Sequence, residues 1–249
     1  MDDLYRAVFQ RCSRRNYSDI PLTPEDVEAL RALIVELCGN GDRRIRLVLN
    51  DGEAFNGFRK SYGVFSGVQN YIALIGNKPD MVEIEKLGYY GEWLVLKATA
   101  LGFGTCWVCG TFDRASCNLD LTNSERIIGV ITIGYVPSKW GGREKLIYST
   151  VRRNTKTLEE LYTSDFAAPN WFLAGIKAVQ RAPSAANRQP VIFSYTDGVV
   201  TAAIEKMSGE YNALDLGIAK LHFEIGAGGG EWEFGNGAKF TRKKPAYYY

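Results

Sequence analysis

At 249 residues, with 46% hydrophobic and 23% charged side chains, the chain has the composition of a folded globular protein and not of a disordered segment. Its 30 Lys and Arg against 28 Asp and Glu leave a net charge of +2, far from the strongly basic balance of a nucleic-acid-binding domain. No apolar run approaches the roughly 18 residues of a membrane span, nothing at Met1-Asp2-Asp3 reads as a signal peptide, and five irregularly spaced cysteines argue against a disulfide framework. A cytoplasmic protein without a membrane or nucleic-acid partner is expected.

Leu4 to Gln10 predicts a short helix running into the basic cluster Arg11-Cys12-Ser13-Arg14-Arg15. Arginines and a hydroxyl at a helix end suit an anion; the alternative is a solvated charged turn. Thr23-Pro24-Glu25-Asp26 reads as an N-cap followed by proline at the first helical position. The helix it opens places Val27, Leu30, Ile34 and Leu37 on one face and stops at Gly39. Ile45 to Leu49 predicts a strand and Asp51-Gly52 a turn, while the Gly- and Phe-rich residues 52–67 show no period and are expected to be irregular. Tyr71 to Ile75 predicts a second strand, and Tyr90 to Leu101 a helix buried nearly all round.

The stretch from Gly102 to Gly110, with Cys106, Trp107 and Cys109 inside it, is expected to be a loop whose main-chain N–H groups face a flat ligand, or else an ordinary connection. A Rossmann phosphate loop is disfavoured because the glycines follow a helix and their spacing is wrong. A thioredoxin-like use of Cys106 and Cys109 is disfavoured because such a thiol belongs at a helix N-terminus.

Ile127 to Gly134 predicts a central strand, and residues 136–157 a basic connection ending in a helical turn at Leu158 to Leu161. The amphipathic helix Trp171 to Gln180 leads into Ala182-Pro183-Ser184-Ala185-Ala186-Asn187-Arg188-Gln189-Pro190, a proline-bounded loop crowded with hydrogen-bonding side chains. It reads either as a small-molecule contact or as a turn satisfying its own backbone. Val191 to Tyr195 is a strand, Asp197-Gly198 a hairpin turn, Asn212 to Ile225 a helix closed by Gly226 to Gly230, and Glu231 to Phe234 a last strand before a loose tail. The sole histidine, His222, lies in that apolar helix and is expected to be structural. With one histidine and these cysteine spacings, no metal site is expected.

The order helix, strand, Asp-Gly turn and glycine-ended helix occurs over residues 24–104 and again over 171–230. It suggests two related portions, 1–165 and a shorter 166–249, packed as one compact unit.

Several of these segments resemble the flavin-dependent nitroreductases. Arg11-x-Ser13-x-Arg15 followed by Tyr17 is similar to that family's R-x-S-x-R opening. Ala182 to Pro190 resembles its APSAxNxQPW motif, with Val191 in place of tryptophan. Leu101 to Trp107 resembles its LGLGTCW segment, and Ile131 to Tyr135 its iGY strand. The resemblance implies an α+β nitroreductase-like fold, with a mixed, mostly antiparallel sheet flanked by helices and two pseudo-repeats in one chain. It also implies FMN as cofactor, NAD(P)H as electron donor, and a small-molecule acceptor such as a nitroaromatic or a quinone.

By the same resemblance Arg11, Ser13 and Arg15 would hold the phosphate and ribityl end of FMN. Arg153 would be a late phosphate contact, although Arg152 or Lys156 fits the pattern equally. Cys106, Trp107 and Gly110 would border the isoalloxazine ring, and Pro183, Ser184, Asn187 and Gln189 would face the flavin from the other half. The flavin carries the chemistry, so no catalytic side chain is expected. In the family the serine-asparagine loop follows the R-x-S-x-R segment closely, whereas here Ser13 and Ser184 stand near opposite ends of the chain. That displacement suggests a fused pseudo-dimer with one flavin per chain, a monomer, with a homodimer left open. The alternative function is a flavin-binding protein that stores or senses the cofactor without turnover; a third, cysteine-based redox protein would depend on Cys106 and Cys109.

Overall fold

The computed structural model describes residues 2–39, 44–55, 58–61, 63–77 and 80–243, and the side chains of residues 2, 58, 59 and 151–153 are left out of that description. In chain order the elements are α1 (Asp2–Gln10), α2 (Pro24–Cys38), β1 (Ile45–Val48), α3 (Phe58–Ser61), β2 (Asn70–Gly76), α4 (Met81–Ala100), β3 (Gly104–Val108), β4 (Arg126–Gly134) and α5 (Gly142–Arg153). There follow β5 (Tyr162–Ser164), α6 (Asn170–Val179), β6 (Ile192–Thr196), β7 (Val199–Ala203), α7 (Glu210–Gly226), β8 (Gly230–Trp232) and β9 (Lys239–Arg242). The chain forms two compact units, one of Met1–Phe9, Met81–Glu92 and Asn154–Tyr249, the other of Gln10–Asp80 and Trp93–Arg153. Each has its own sheet and its own core.

In the Gln10–Asp80 and Trp93–Arg153 unit, a sheet of order β1-β2-β4-β3 is antiparallel throughout. Strand β2 is buried at every position and β4 at all but Arg126, which accounts for their unbroken apolar sequences. The core gathers Phe55, Phe65, Tyr71, Val108, Phe112 and Val130. Phe55 stacks on Phe112 at 5.8 Å and meets Tyr71 edge-on at 5.3 Å. The residues expected to be irregular around position 55 therefore include a core aromatic, carried on a single 3₁₀ turn, Glu53–Phe55. Helix α2 starts with a full capping box: the Thr23 side chain accepts from the Asp26 N–H, and Asp26 accepts from the Thr23 N–H.

The other unit contains a five-stranded sheet of order β5-β6-β7-β9-β8, in which only β5 and β6 pair in parallel. Asp197 and Gly198 join β6 to β7 with φ of 51° and 79°, the two left-handed residues of a type I′ hairpin. At the centre of the core Phe223 stacks on Phe193 at 4.9 Å and meets Phe172, Trp232 and Phe240 edge-on at 5.4, 5.6 and 5.2 Å.

Within this unit the first half of α4 lies against α7 with backbone close to backbone. A Cβ on Gly217 would stand 1.9 Å from the Glu85 carbonyl oxygen, and one on Gly88 would stand 2.3 Å from that of Leu214. The polar groups trapped along the contact pair across it. Lys220 Nζ donates to Glu85 at 2.5 Å, the Tyr89 hydroxyl donates to Glu224 at 2.7 Å, and His222 Nε2 lies 2.8 Å from Glu92. Helix α4 is thus longer than its apolar portion predicts. Its first three turns carry Glu83, Glu85, Lys86, Gly88 and Glu92, which break the hydrophobic pattern because several of them match partners on α7.

Helix α5 occupies most of the expected basic connection, and β5 and β9 are further elements that the sequence reading did not separate. The tail expected to be loose lies, from residue 244 on, outside the described residues. Gly217→Ala is expected to lower stability by about 3 kcal/mol, the upper range for forcing atoms into a packed contact, whereas Gly142→Ala, with nothing within 4 Å of its new methyl group, is expected to be neutral. Thermal denaturation of the two variants checks the difference.

Candidate functional site

The R-x-S-x-R segment follows α1 as extended chain. The outer edge of β3 would otherwise show unpaired backbone groups. The segment covers it: Ser13 bridges Thr105 in parallel, and the Arg14 N–H donates to the Thr105 carbonyl at 2.8 Å. Further on, the Ser66 N–H donates to the Arg15 carbonyl at 3.0 Å, the Tyr17 N–H to the Ser66 carbonyl at 2.9 Å, and the Ser18 N–H to the Tyr135 carbonyl at 2.9 Å. Buried Tyr17 anchors the segment from below. Its hydroxyl lies 2.7 Å from Thr132 Oγ1 and donates to the Arg14 carbonyl at 3.0 Å, and burial pushes its pKa far up.

This pairing brings Arg11, Ser13 and Arg15 to Cys106. Ser13 and the Arg11 and Arg15 guanidinium groups all act on the Cys106 thiol in the sense that favours its anion, while its Sγ lies 3.5 Å from the Trp107 carbonyl. Burial nevertheless dominates and pushes the Cys106 thiol up, the opposite of an activated cysteine. The Cys106 carbonyl accepts from Thr132 Oγ1 at 3.3 Å.

Gly104 to Val108, expected to be part of a loop, is strand β3. Its glycine answers to packing, since a Cβ on Gly104 would stand 2.1 Å from Val136 Cγ1 and 3.2 Å from Arg14 Cβ. Gly102 closes α4 with φ of 90° in a Schellman arrangement, the Phe103 N–H donating to the Ala98 carbonyl at 2.9 Å. Trp107 is half-buried on β3, and exposed Gly110 follows in the turn after it.

Arg14, between the two motif arginines, is only 8% exposed. Its Nε donates to Glu144 Oε1 at 3.0 Å, its Nη2 reaches Glu144 Oε2 at 3.4 Å and the Pro137 carbonyl at 3.2 Å, and its guanidinium lies 4.8 Å over the Trp140 ring. Glu144 Oε1 also accepts the Arg15 N–H at 2.7 Å. Arg153 is the last residue of α5, the helix whose first turn carries Glu144, and its side chain lies outside the described residues, as does that of Arg152.

Pro183, Ser184, Asn187 and Gln189 belong to the other unit and form a loop between α6 and β6. Ala186, Asn187 and Gln189 all have positive φ, at 52°, 53° and 46°. Three non-glycine residues in the left-handed region within one short loop is a strained arrangement of the kind found at functional sites. Side chains hold it. The Gln189 N–H donates to Ser184 Oγ at 2.9 Å, Gln189 Oε1 accepts the Lys156 N–H at 2.8 Å, and Gln180 Nε2 donates to the Lys156 carbonyl at 2.9 Å. Gln189 is 6% exposed, so its carboxamide fastens the loop to the segment before β5. A concavity beside the loop, lined by Leu161, Val179, Pro183, Ser184, Gln189 and Asp215 among others, encloses about 10 Å³. That is room for about one water molecule and far below the roughly 300–1,000 Å³ of small-molecule pockets.

The sequence reading did not single out Arg14, Glu144 or Asp215. Arg14 falls on an unspecified position of the motif, and Glu144 is the one acid between Arg143 and Lys145. Asp215 is a carboxylate set between Leu214 and Leu216 in a mostly apolar helix, which was a usable signal. Its oxygens accept the Ala185 N–H at 3.0 and 3.2 Å, and burial raises its pKa to about 7, against the opposing pull of that N–H and of Arg188. His222 is fully buried, with Nδ1 3.0 Å from the Ala178 carbonyl and Nε2 against Glu92, in keeping with its structural reading. Among the described residues no group of three or more His, Cys, Asp or Glu is placed to hold a metal ion, and no helix is long and apolar enough to cross a membrane.

The family model described as "Putative TM nitroreductase" matches residues 3–227, and the chain belongs to this nitroreductase family. Its α+β architecture is that of the crystal structure of a "putative nitroreductase" from Thermotoga maritima, which is 20% identical, with 95% of this chain and 91% of that one covered at a TM-score of 0.64. An FMN-dependent nitroreductase from Clostridium difficile R20291 is 19% identical over 56% of this chain and 90% of its own, at a TM-score of 0.42. A nitroreductase with bound FMN from Bacteroides fragilis is 14% identical over 57% and 92%, at 0.41. No curated protein matches the sequence.

The raised pKa of Asp215 fixes the sign of a pH effect. Between the ordinary value of 3.8 and about 7 the native state keeps a proton that the unfolded chain has released, so this group lowers stability progressively as pH rises through that window, and fully above it. Asp215→Asn keeps an acceptor for the Ala185 N–H and removes the buried charge. It is expected to raise the urea midpoint at pH 8 and to change it little at pH 4.

Proposed function

We propose that this protein is a flavin-dependent oxidoreductase that binds FMN, takes electrons from NADH or NADPH and passes them to a nitroaromatic, a quinone or a similar small acceptor. Membership of the nitroreductase family supports the reaction class. The observation that carries the cofactor reading is the seating of Arg11 to Arg15 along β3, which gathers two arginines and a serine hydroxyl around Cys106. That donor set fits a phosphate monoester, whose charge near −2 calls for charge-assisted bonds and favours the planar arginine fork.

In this reading Arg11, Ser13 and Arg15 bind the phosphate and ribityl end, with Arg153, or else Arg152 or Lys156, as a further phosphate contact. The main chain at Cys106, Trp107 and Gly110 borders the flavin ring, and the Ser184 loop, through Pro183, Ser184, Asn187 and Gln189, supplies contacts of its own. When bound, FMN accepts hydride from the nicotinamide and delivers it to the acceptor. The chain's residues bind and orient, and none serves as general acid or base. One FMN per chain is expected, in a cytoplasmic protein for which a single chain suffices.

The purified protein is expected to be yellow, to be bleached by NADH or NADPH, and to regain its colour on addition of a nitroaromatic or a quinone. Arg15→Ala is expected to weaken FMN binding roughly 10- to 100-fold, the size of one lost charge-assisted hydrogen bond, as read by flavin fluorescence titration. A colourless protein that takes up no FMN refutes the reading. A yellow protein that neither nicotinamide bleaches is instead a store or sensor of flavin.

A further inference from the structure

Within the R-x-S-x-R stretch, Arg14 has its guanidinium buried in a carboxylate clamp. Glu144, 3% exposed, receives Nε and Nη2 of Arg14 and, on the same oxygen that takes Nε, the backbone N–H of Arg15. Trp140 covers the guanidinium face and the Pro137 carbonyl takes a further N–H. Glu144 therefore grips two consecutive residues of the segment, one by its side chain and one by its main chain. It does so beside a basic cluster: the Cys106 thiol that feels Arg11 and Arg15 also feels Glu144, in the opposite sense.

An acid in that place is hard to explain as electrostatics for an anion site, because its charge opposes the anion. It is readily explained as geometry. We infer that Glu144 is a positioning residue, which fixes Arg15 and Ser13 in register for a phosphate by clamping Arg14 and the Arg15 N–H. The inference rests on the FMN reading above and concerns the phosphate end alone.

The two explanations predict opposite signs. Deleting an anion near a phosphate strengthens phosphate binding if only charge matters, and weakens it if the lost hydrogen bonds let Ser13 and Arg15 move. The experiment is a fluorescence titration with FMN and with riboflavin, which lacks the phosphate, on wild type and variants. The wild type is expected to prefer FMN. Glu144→Ala is expected to reduce that preference about tenfold or more, chiefly by weakening FMN, a loss on the scale of one or two hydrogen bonds to charged groups. Glu144→Gln, which keeps an acceptor oxygen for Arg15 and Arg14, is expected to retain most of it.

Because Glu144→Ala leaves a buried arginine unpaired and stands to impair folding, the double variant Arg14→Met/Glu144→Leu removes both charges and serves as the second test. It is expected to lose the preference for FMN to the same degree. An unchanged or increased preference in Glu144→Ala or in the double variant overturns the inference. So does a loss in Glu144→Gln as large as that in Glu144→Ala, because Gln keeps the acceptor oxygen on which the clamp depends. A wild-type protein that binds the two flavins alike refutes the phosphate reading itself, and the inference with it. That result is distinct from a variant that merely leaves the wild-type preference intact.

Discussion

The contact between α7 and the first half of α4 is the constraint on which much of the structure depends. Gly88 and Gly217 bring the two backbones so close that any side chain at either position would strike a carbonyl oxygen. The polar groups sealed in by this approach must find partners, since a buried charge or amide left unpaired is worth several kcal/mol of instability, about 1–3 for a neutral group and more for an ion. They do so across the contact, Glu85 with Lys220, Tyr89 with Glu224 and Glu92 with His222. With α7 fixed, its other faces are fixed as well. Phe223 becomes the centre of the aromatic core, and Asp215 reaches the Ala185 N–H and holds the start of the strained Ser184 loop.

The second unit turns on a smaller device with the same logic. A strand edge needs covering, and the arginine-rich segment covers it. What then matters is how the segment's charges are divided. Arg14 is neutralised by Glu144 and shielded by Trp140, whereas Arg11 and Arg15 act on the Cys106 neighbourhood. A cluster that reads in the sequence as a block of like charge is therefore a structural ion pair set between two candidate ligand contacts.

Much of the architecture was legible wherever the local pattern and the tertiary environment agree. The Thr23 cap, the apolar strands β2 and β4, the Asp197-Gly198 hairpin and the structural character of His222 all follow from residue types and spacing. The motif segments pointed to the nitroreductase family, in which the family model places residues 3–227. Legibility failed where a partner far along the chain supplies the explanation. The start of α4 looks too polar to be a buried helix until Lys220, His222 and Glu224 are set against it. Phe55 looks like part of an irregular insertion until Phe112 and Tyr71 close over it. Gly104 looks like room for a ligand until Val136 fills the space.

The sequence by itself determined many of the elements, several of the caps and turns that bound them, and which segments carry hydrogen-bonding and basic side chains. These depend on backbone preferences and on periodicity, which are local. Only the tertiary structure decided that Arg14 pairs with Glu144 and that the Cys106 thiol is buried, that Gln189 fastens its own loop, and that Asp215 and Glu144 stand behind the two motifs. Those outcomes depend on desolvation and on partners tens of residues or more away, such as Glu144 for Arg14, and no spacing rule along the chain contains them.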